Sequence, residues 1–412
     1  MVANMKYVEK YGLFVFFIIF LLYFGVMTKI NIAKSDIPTK TYEMKGKGIF
    51  EKDAILKQKI AANDDIYNSY FFQKIGFIEN YGLLQKVLGK EIVDDKLNYR
   101  RVYKGANDTL YYTVPVKNIN EKAVENISNL KQKLDLQQIP MFFVLAPNKH
   151  TINSANFPQG VLDYNTTNLD DLSKRLTEKG IDVLDLNQEF FKDKKDENTS
   201  FYKTDTHWKN ETAFWGYQKL VSHLANEYVY NFNNDAKFTS PTSYTTMKYN
   251  ETYIGSMGKR TGKKYVTKKD DYELILPTFD TNRTYKKYND VLTEISTKSG
   301  SFEDVFVNKA VLDSKDPYED KYTTMMGYGT PYEVIINNQI KQDTKLLIIK
   351  DSFAMPLSAY LSNNIKTICL LDTRYENIRK NLNRMITNIK PDYVLFVCSP
   401  SSVFYFPEMF DF

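Results

Sequence analysis

The stretch Lys345–Phe353, KLLIIKDSF, joins an apolar run to a short polar turn. Its first five residues are typical of a strand that is buried on both faces, as in a parallel sheet. A serine that follows such a strand, where a helix begins, exposes its hydroxyl at the carboxyl edge of the sheet. Backbone amides at the start of the helix point to the same place, so Ser352 is a candidate nucleophile with an oxyanion donor beside it. The alternative is that Asp351 or Ser352 only caps the helix.

Other apolar runs repeat this arrangement along the chain. Met141–Ala146 (MFFVLA) and Ile181–Leu186 (IDVLDL) are short apolar segments, and a helical pattern of leucines between them ends at Gly180. A strand, a helix and a second strand in this order predict a β-α-β unit, and hence an α/β fold with a parallel sheet flanked by helices. Two further strands are predicted at Thr367–Leu371 and Tyr393–Cys398.

The pattern divides the chain into five parts. Two of them, residues 119–231 and 344–412, have the strand and helix alternation and are expected to be the two halves of one α/β domain with a common sheet. Between them, residues 232–343 are rich in Tyr, Thr, Lys and Asn and lack that alternation, so they predict a β-rich insertion that projects from the sheet. The remaining parts are an N-terminal anchor, residues 1–30, and a polar stalk with a mixed segment, residues 31–118.

The N-terminal segment is apolar and contains no charge from Tyr11 to Thr28. This run is about as long as a helix that crosses a bilayer. Because no small-residue cleavage site follows it, an uncleaved transmembrane anchor is favoured over a removed signal peptide. A single N-terminal anchor places the bulk of the chain outside the membrane, on the extracytoplasmic side. A buried core helix is the alternative, although no structure precedes this segment to bury it.

The composition argues against several classes of protein. A net charge of +5 over 412 residues, with no dense block of Lys or Arg, argues against a nucleic-acid partner. Cys369 and Cys398 lie in apolar runs without the spacing of a metal site, and buried thiols are favoured over a disulfide. No dinucleotide or phosphate loop is present, so no cofactor is expected. The 31 tyrosines are more readily explained by core packing than by stacking on sugars.

A second polar motif, Thr204–Trp208 (TDTHW), follows the strand at 181–186. Its Asp205 can accept a hydrogen bond from one imidazole nitrogen of His207, which leaves the other nitrogen free to act as a base. A serine needs such a base to become a nucleophile, and both motifs are expected at one edge of the sheet. His150 could assist there, although a surface position is favoured for it, and His223 is expected to be solvated. The Asp-x-His spacing by itself is weak evidence.

In this order, TDTHW followed by DSF resembles the SGNH hydrolase-like proteins of polysaccharide O-acetylation. The likeness is to the alginate O-acetylation proteins and, still more, to the Gram-positive family named for its DHHW motif. It extends over residues 45–400 and implies a permuted fold, in which the serine follows the Asp/His pair. Where the family commonly has Gly before Asp-Ser, this chain has Lys350, which bears on the packing of that turn. Further matching pieces are Ala146–Lys149, Ile254–Gly258, Met326–Tyr328 and Leu371–Tyr375.

The resemblance implies roles for particular residues. Ser352 would be the nucleophile, His207 the base and Asp205 the acid that orients it. Candidates to complete the oxyanion hole or to hold substrate are Asn148, Lys149, Arg374 and Trp208, with structural hydrogen bonds as the alternative.

Acyl transfer is the leading hypothesis for the activity. The resemblance implies an acetyl-enzyme on Ser352, a cell-wall or exported polysaccharide as acceptor, and a multi-spanning membrane O-acyltransferase as the partner that supplies the acetyl group. A carbohydrate acetylesterase and a non-catalytic scaffold of an export complex are the alternatives. A metal-dependent phosphoesterase also has an Asp-x-His motif, but it needs more histidine ligands than three histidines readily supply, and no metal is expected.

Overall fold

The computed structural model describes residues 2–35, 59, 63–64, 66–93, 101–117, 120–149, 157–227 and 232–412. The chain divides into two compact units, Met1–Tyr81 and Gly82–Phe412. His150, which the sequence analysis considered for the site, lies outside the described residues.

The first unit contains a long apolar helix, α1 (Val2–Ala33). Its part from Tyr11 to Ala33 has a mean hydropathy of 2.4, so this helix is long and apolar enough to cross a membrane. Aromatic rings pack beside it: the ring of Phe24 lies 5.2 Å from that of Phe77. Length and composition therefore fit either a membrane anchor or a signal sequence. A second helix, α2 (Lys74–Val87), contains the boundary between the two units.

The second unit contains the strands and the shorter helices. The strands are β1 (Ile92–Val93), β2 (Val102–Lys104), β3 (Leu110–Tyr111), β4 (Met141–Leu145), β5 (Asp182–Asp185), β6 (Tyr244–Tyr253), β7 (Asp270–Pro277), β8 (Arg283–Tyr288), β9 (Glu294–Gly300), β10 (Tyr332–Asn337), β11 (Lys345–Lys350), β12 (Thr367–Leu371) and β13 (Tyr393–Cys398). The helices are α3 (Glu121–Leu136), α4 (Asn165–Glu178), α5 (Leu186–Lys192), α6 (Glu197–Ser200), α7 (Asn210–Glu227), α8 (Ser256–Thr261), α9 (Phe302–Phe306), α10 (Lys309–Asp313), α11 (Ala354–Leu361), α12 (Glu376–Lys380), α13 (Leu382–Ile389) and α14 (Pro400–Tyr405).

One sheet of eight strands, in the order β5-β4-β13-β11-β12-β10-β8-β9, organises the second unit. The first five strands are mutually parallel, so their carboxyl ends meet at one edge. They come from both halves of the predicted α/β domain, and helices cover both faces. The parallel sheet flanked by helices that the sequence predicted is therefore confirmed.

The segment 232–343 does not simply project from this sheet. Its strands β8, β9 and β10 are antiparallel and continue the sheet beyond β12, which corrects the prediction that the whole segment projects from the sheet. The reason is that β10 (YEVIIN) alternates buried and half-buried side chains, a pattern of antiparallel strands that a search for continuous apolar runs does not detect. Strands β6 and β7 do form a separate two-stranded ribbon.

The central strand β11 is buried on both faces, as its apolar run predicts. Leu346 and Ile348 belong to the core that packs under α7 and α11. Leu347 and Ile349 belong to the opposite core, under α3, α4 and α13. Within this second core Cys369 and Cys398 are buried free thiols. Because both faces are filled, the end of β11 is fixed in position where the polar turn with Ser352 begins.

Two glycines of α2 allow a test of the packing beside α8. A Cβ on Gly82 would lie 2.0 Å from the carbonyl oxygen of Thr261, whereas one on Gly76 would meet only the end of the Gln73 side chain, at 3.1 Å. We expect Gly82→Ala to lower the free energy of unfolding by about 1–3 kcal/mol, because backbone must move. Gly76→Ala should raise it, by up to about 1 kcal/mol, through helix propensity.

The measurement is thermal unfolding of the full chain in detergent. Equal effects of the two substitutions would contradict the contact between Gly82 and Thr261.

Candidate active site

The TDTHW motif lies in a tight loop that two backbone contacts close. Phe201 and Trp208 face each other in an isolated antiparallel bridge, and the N–H of Lys209 donates to the carbonyl of Ser200 at 2.9 Å. Helix α7 begins directly afterwards, at Asn210. The backbone at the end of the loop is therefore fixed, and this holds the polar side chains of the motif in position.

A buried carboxylate from β7 holds the other side of this loop. Asp270 accepts hydrogen bonds from the backbone N–H groups of Lys203 (2.6 Å) and Thr204 (2.8 Å), and from the Thr204 hydroxyl (2.6 Å). The same Thr204 hydroxyl oxygen accepts from the N–H of Gly255 at 2.8 Å. These bonds fix the loop against β7 and against the start of α8.

The structure brings Asp205, His207 and Ser352 into one line of hydrogen bonds. Nδ1 of His207 lies 2.5 Å from Oδ1 of Asp205, and Nε2 of His207 lies 2.8 Å from Oγ of Ser352. His207 and Ser352 are 145 positions apart in the sequence. This geometry is what transfer of a proton from a serine hydroxyl to an imidazole requires.

Asp205 is buried but is surrounded by donors. Its Oδ1 also accepts from the backbone N–H of His207 at 3.0 Å, and its Oδ2 accepts from the N–H of Ser256 at 2.6 Å. Burial alone would raise the pKa of Asp205, but His207 and these amides outweigh it and hold the pKa well below its usual range. The carboxylate therefore stays ionised and can stabilise an imidazolium at His207.

Two aromatic rings fix the plane of the imidazole. The ring of Tyr322 stacks on His207 with centroids 3.8 Å apart and planes 13° apart, and the ring of Phe353 lies 5.1 Å away. The hydroxyl of Tyr322 donates to the carbonyl oxygen of Ser352 at 2.9 Å. Tyr322 thus contacts both the base and the nucleophile residue, a role that sequence reasoning missed because nothing distinguishes it among 31 tyrosines.

The turn that carries Ser352 is held by its neighbour. Asp351 accepts from the N–H of Phe353 at 2.8 Å, from the N–H of Ser399 at 2.7 Å and from the hydroxyl of Ser402 at 2.6 Å. Asp351 therefore satisfies the amide in the turn, and the Ser352 hydroxyl is left for His207. No acceptor in the described part of the chain takes up the N–H of Ser352, so this amide is a candidate oxyanion donor.

Lys350, which stands where the family commonly has glycine, is fully buried. Its Nζ lies 3.4 Å from Oε1 of Glu333 and 3.9 Å from Oδ2 of Asp372. A Cβ on Gly329 would lie 2.8 Å from that Nζ, so the absence of a side chain at Gly329 makes room for the lysine. The side chain of Lys350 therefore fits beside the turn because the residue that faces it, Gly329, has no side chain.

Asn148 and Lys149 are buried just after the end of β4. Nζ of Lys149 donates to the carbonyl oxygens of Tyr202 (2.7 Å) and Lys203 (3.1 Å), directly before the TDTHW motif. Burial lowers the pKa of Lys149 to about 7, although nearby carboxylates oppose this. The contacts of this ammonium are with the loop, and we therefore assign Lys149 to positioning the loop in place of the substrate contact expected from sequence.

Trp208 and Arg374 are also more enclosed than expected for substrate contacts. Trp208 is fully buried, and its ring lies 5.6 Å from that of Phe353. The guanidinium of Arg374 makes a bidentate pair with Asp372, at 2.8 and 2.5 Å, and keeps 29% of its side-chain surface exposed. Of these two, only Arg374 retains a surface that a ligand can reach.

The expectation that His223 is solvated is not met. His223 is half-buried on α7, and its Nε2 lies 3.0 Å from Oδ2 of Asp182, so it is paired and not simply solvated. Among the residues that the structure describes, no three His, Cys, Asp or Glu side chains form a group that could hold a metal ion.

Comparison with known proteins identifies a family that this chain resembles. Residues 105–281 match the family model of the SGNH hydrolase-like domain, acetyltransferase AlgX. The chain resembles the SGNH hydrolase-like acetyltransferases. The matched region includes Asp205 and His207 and ends before Ser352. No curated protein matches the sequence significantly.

Solved structures show the same fold. PatB1 of Bacillus cereus, with a sulfonyl adduct, has a TM-score of 0.59 and 20% identity, and the match covers 76% of this chain and 95% of that one. A DHHW family protein from Eubacterium siraeum has a TM-score of 0.53 and 17% identity over 76% of this chain and 95% of that one. The SGNH-like α/β fold that the two motifs predicted is thus confirmed.

A second carboxyl group is linked to Asp205 through a tyrosine. The hydroxyl of Tyr253 lies 3.0 Å from Oδ2 of Asp205 and 2.8 Å from Oδ1 of Asp320. A phenol has one proton, so it can donate to only one of the two. Burial and the charge of Asp205 raise the pKa of Asp320, against opposing effects of His207, the Tyr253 hydrogen bond and Lys259. Because the pKa of Asp205 is lowered and that of Asp320 is raised, Asp320 is the carboxyl group of this pair that binds a proton more readily.

The raised pKa of Asp320 predicts the effect of Asp320→Asn on stability. Because the pKa of Asp320 is raised, the folded protein binds this proton more tightly than the unfolded chain and loses stability as the pH rises above about 4. Asn stays neutral, so the variant should melt above the wild type at pH 7, and the gain should vanish below about pH 4.

Asp271→Asn is the matched control, measured by thermal unfolding over the same pH range. The N–H of Glu251 and the ammonium of Lys248 outweigh burial and lower the pKa of Asp271. That variant should therefore lose stability at pH 7. The same sign for both substitutions would contradict the raised pKa of Asp320.

A second prediction concerns the contact between Gly255 and Asp205. A Cβ on Gly255 would lie 2.2 Å from Cβ of Asp205 and 2.5 Å from its Oδ2. Gly255→Ala must therefore displace the carboxylate and disturb the bond to His207. We expect acetylation of the protein by p-nitrophenyl acetate to slow by about 100-fold, as for a misplacement of about 1 Å.

Gly25→Ala, which would meet nothing within 4 Å, is the control and should keep the wild-type rate. An unchanged rate for Gly255→Ala would show that Asp205 does not need its present position.

Proposed function

We propose that this protein is a membrane-anchored, extracytoplasmic serine O-acetyltransferase that acts on a cell-wall or exported polysaccharide. The observation that carries the proposal is the continuous hydrogen-bonded path from Asp205 through His207 to Oγ of Ser352, with contacts of 2.5 and 2.8 Å. The similarity to an acetyltransferase family model supports acyl-transfer or ester chemistry in general. Serine-dependent transfer is the specific form of that chemistry to which the path corresponds.

The first half-reaction forms an acetyl-enzyme. Nε2 of His207 accepts the proton of the Ser352 hydroxyl while Oγ attacks the carbonyl carbon of the acetyl donor. The oxyanion of the tetrahedral intermediate is directed to the N–H of Ser352. When the intermediate collapses, the bond to the leaving group breaks, His207 returns the proton to that group, and the acetyl ester on Ser352 remains.

The second half-reaction reverses these roles. His207 accepts a proton from a sugar hydroxyl, whose oxygen attacks the acetyl ester. The bond from Oγ of Ser352 to the acetyl carbon breaks, and Ser352 regains its proton from His207. The ionised Asp205 stabilises the imidazolium in both halves.

Features outside the triad support the other parts of the proposal. Helix α1 is long and apolar enough to anchor the chain, which would keep the catalytic domain near the outer face of the membrane. A donor made inside the cell would have to be delivered across that membrane. We therefore propose a multi-spanning membrane O-acyltransferase as the partner, as the family resemblance implies.

The decisive experiment is intact-mass analysis of the full chain in detergent after mixing with p-nitrophenyl acetate. We expect one added acetyl group, and loss of this adduct in Ser352→Ala. Asp205→Asn should slow its formation by about 10³-fold or more, because His207 is left in the wrong tautomer. Ser296→Ala, on the exposed strand β9, is the control and should react as the wild type does.

Addition of oligosaccharide then distinguishes the activities. Acetylated oligosaccharide supports the transferase, whereas release of acetate alone would indicate an acetylesterase. An adduct that persists in Ser352→Ala, or no adduct at all, would overturn the serine mechanism and favour a non-catalytic scaffold.

A further inference from the structure

Tyr328 is an exposed aromatic side chain beside the candidate site. It is 66% exposed, and no aromatic residue among those described in the second unit is more exposed. It lies in the loop 325–330, which follows a short 3-10 helix, Lys321–Thr324. A single exposed tyrosine is ordinary on a protein surface, but the loop that carries this one is held unusually firmly.

The backbone of the loop is held by two charged groups, the half-buried Lys287 and the buried Glu333. Nζ of Lys287 donates to the carbonyl oxygens of Met326 (2.8 Å) and Tyr328 (2.7 Å). On the other side of the loop, the N–H of Thr330 donates to Oε1 of Glu333 at 2.6 Å. Lys287 is half-buried, and its desolvation lowers its pKa, so holding these carbonyls carries a desolvation cost.

The loop also contains a strained residue. Met326 has a φ of 66° and the following Gly327 has a φ of 69°. A left-handed conformation costs a residue with a Cβ about 1–2 kcal/mol. Strain of this kind persists only where the surroundings enforce it, and it is concentrated at functional sites. Here the strained turn leads directly to a side chain that is mostly in solvent.

The segment 320–330 runs along the nucleophile turn. Tyr322 stacks on His207 and donates to the carbonyl of Ser352. Gly329 faces Lys350 and Met355, with ideal Cβ distances of 2.8 Å to Nζ and 3.7 Å to Sδ. These two residues lie on either side of Ser352 in the sequence. Tyr328 therefore lies in the chain between Tyr322 and Gly329, both of which contact residues at or next to Ser352.

Acidic groups lie near the phenol of Tyr328. Partial burial and the charges of Asp320 and Glu319 raise its pKa. Asp320 is the carboxyl group that Tyr253 links to Asp205. An exposed ring in this acidic surrounding offers a flat apolar face together with a polar hydroxyl. That combination fits a pyranose, which has a C–H face and a rim of hydroxyl donors.

We infer that Tyr328 is a binding platform on which a pyranose ring of the acceptor stacks, so that a hydroxyl of a neighbouring part of the glycan reaches Ser352. The inference takes its class of ligand from the proposed function and adds a specific subsite to it. A tyrosine suits this role because it supplies a large, rigid contact area at a low cost in conformational entropy.

The test measures binding, without catalysis, of two neutral probes: chitopentaose and cellopentaose. The full chain carries Ser352→Ala and is titrated in detergent by isothermal calorimetry. Adding Tyr328→Ala should weaken binding by about tenfold or more, whereas Tyr328→Trp should retain it, because a ring is what the sugar requires. Phe191→Ala removes another exposed ring, 56% exposed, and should leave affinity unchanged.

Two results would overturn the inference. One is equal affinity with and without the Tyr328 ring, in variants whose melting temperatures match. The other is no binding of either probe to the protein that retains Tyr328. Because this readout does not involve an acetyl-enzyme, glycan binding that depends on Tyr328 would stand even if Ser352 proved unreactive, and the two failures can be told apart.

Discussion

The buried carboxylate of Asp205 is the constraint on which the rest of the candidate site depends. A charge removed from water is costly unless donors replace the lost hydration. In this fold the replacement comes from the backbone N–H groups of His207 and Ser256 and from the hydroxyl of Tyr253. Gly255 is required next to them because a side chain there would overlap with the carboxylate. The start of α8 is thus as much a part of the site as the TDTHW motif.

Supporting charges extend this arrangement outward. Asp270 holds the backbone before Asp205, and the ammonium of Lys149 holds the two carbonyls that precede Thr204. On the serine side, Asp351 joins the nucleophile turn to Ser399 and Ser402, which follow β13. The contacts of Lys149 and Asp351 join the end of one sheet strand to a loop that comes after another, whereas Asp270 ties the TDTHW loop to the separate β6-β7 ribbon. The positions of the reacting atoms are therefore set by the sheet edge, and not by the loops alone.

The sequence predicted the parts of this site that have local signatures. An apolar run before DSF and an Asp-x-His pair are short patterns, and the order of parallel strands is sufficient to bring them to one edge. Lys149 and Trp208 were predicted as substrate contacts because they adjoin the motifs. Both prove to be buried in the framework, since adjacency in sequence does not indicate the direction of a side chain. Tyr322, Tyr253 and Asp320 had no signature, because their roles come from long-range contacts within an apparently irregular segment.

The segment 232–343 contributes to the assembly of the site. Strands β8 to β10 extend the sheet, and the chain between β9 and β10 returns across its edge as residues 320–330. His207 and Ser352 belong to different halves of the α/β domain, and Tyr322 contacts both of them. The antiparallel extension is therefore not an appendage, because it positions the ring that keeps base and nucleophile in register. Changes in this segment can therefore reach the imidazole through the stacked ring of Tyr322, and reach Asp205 through Asp320 and Tyr253, without any substitution of Asp205, His207 or Ser352 themselves.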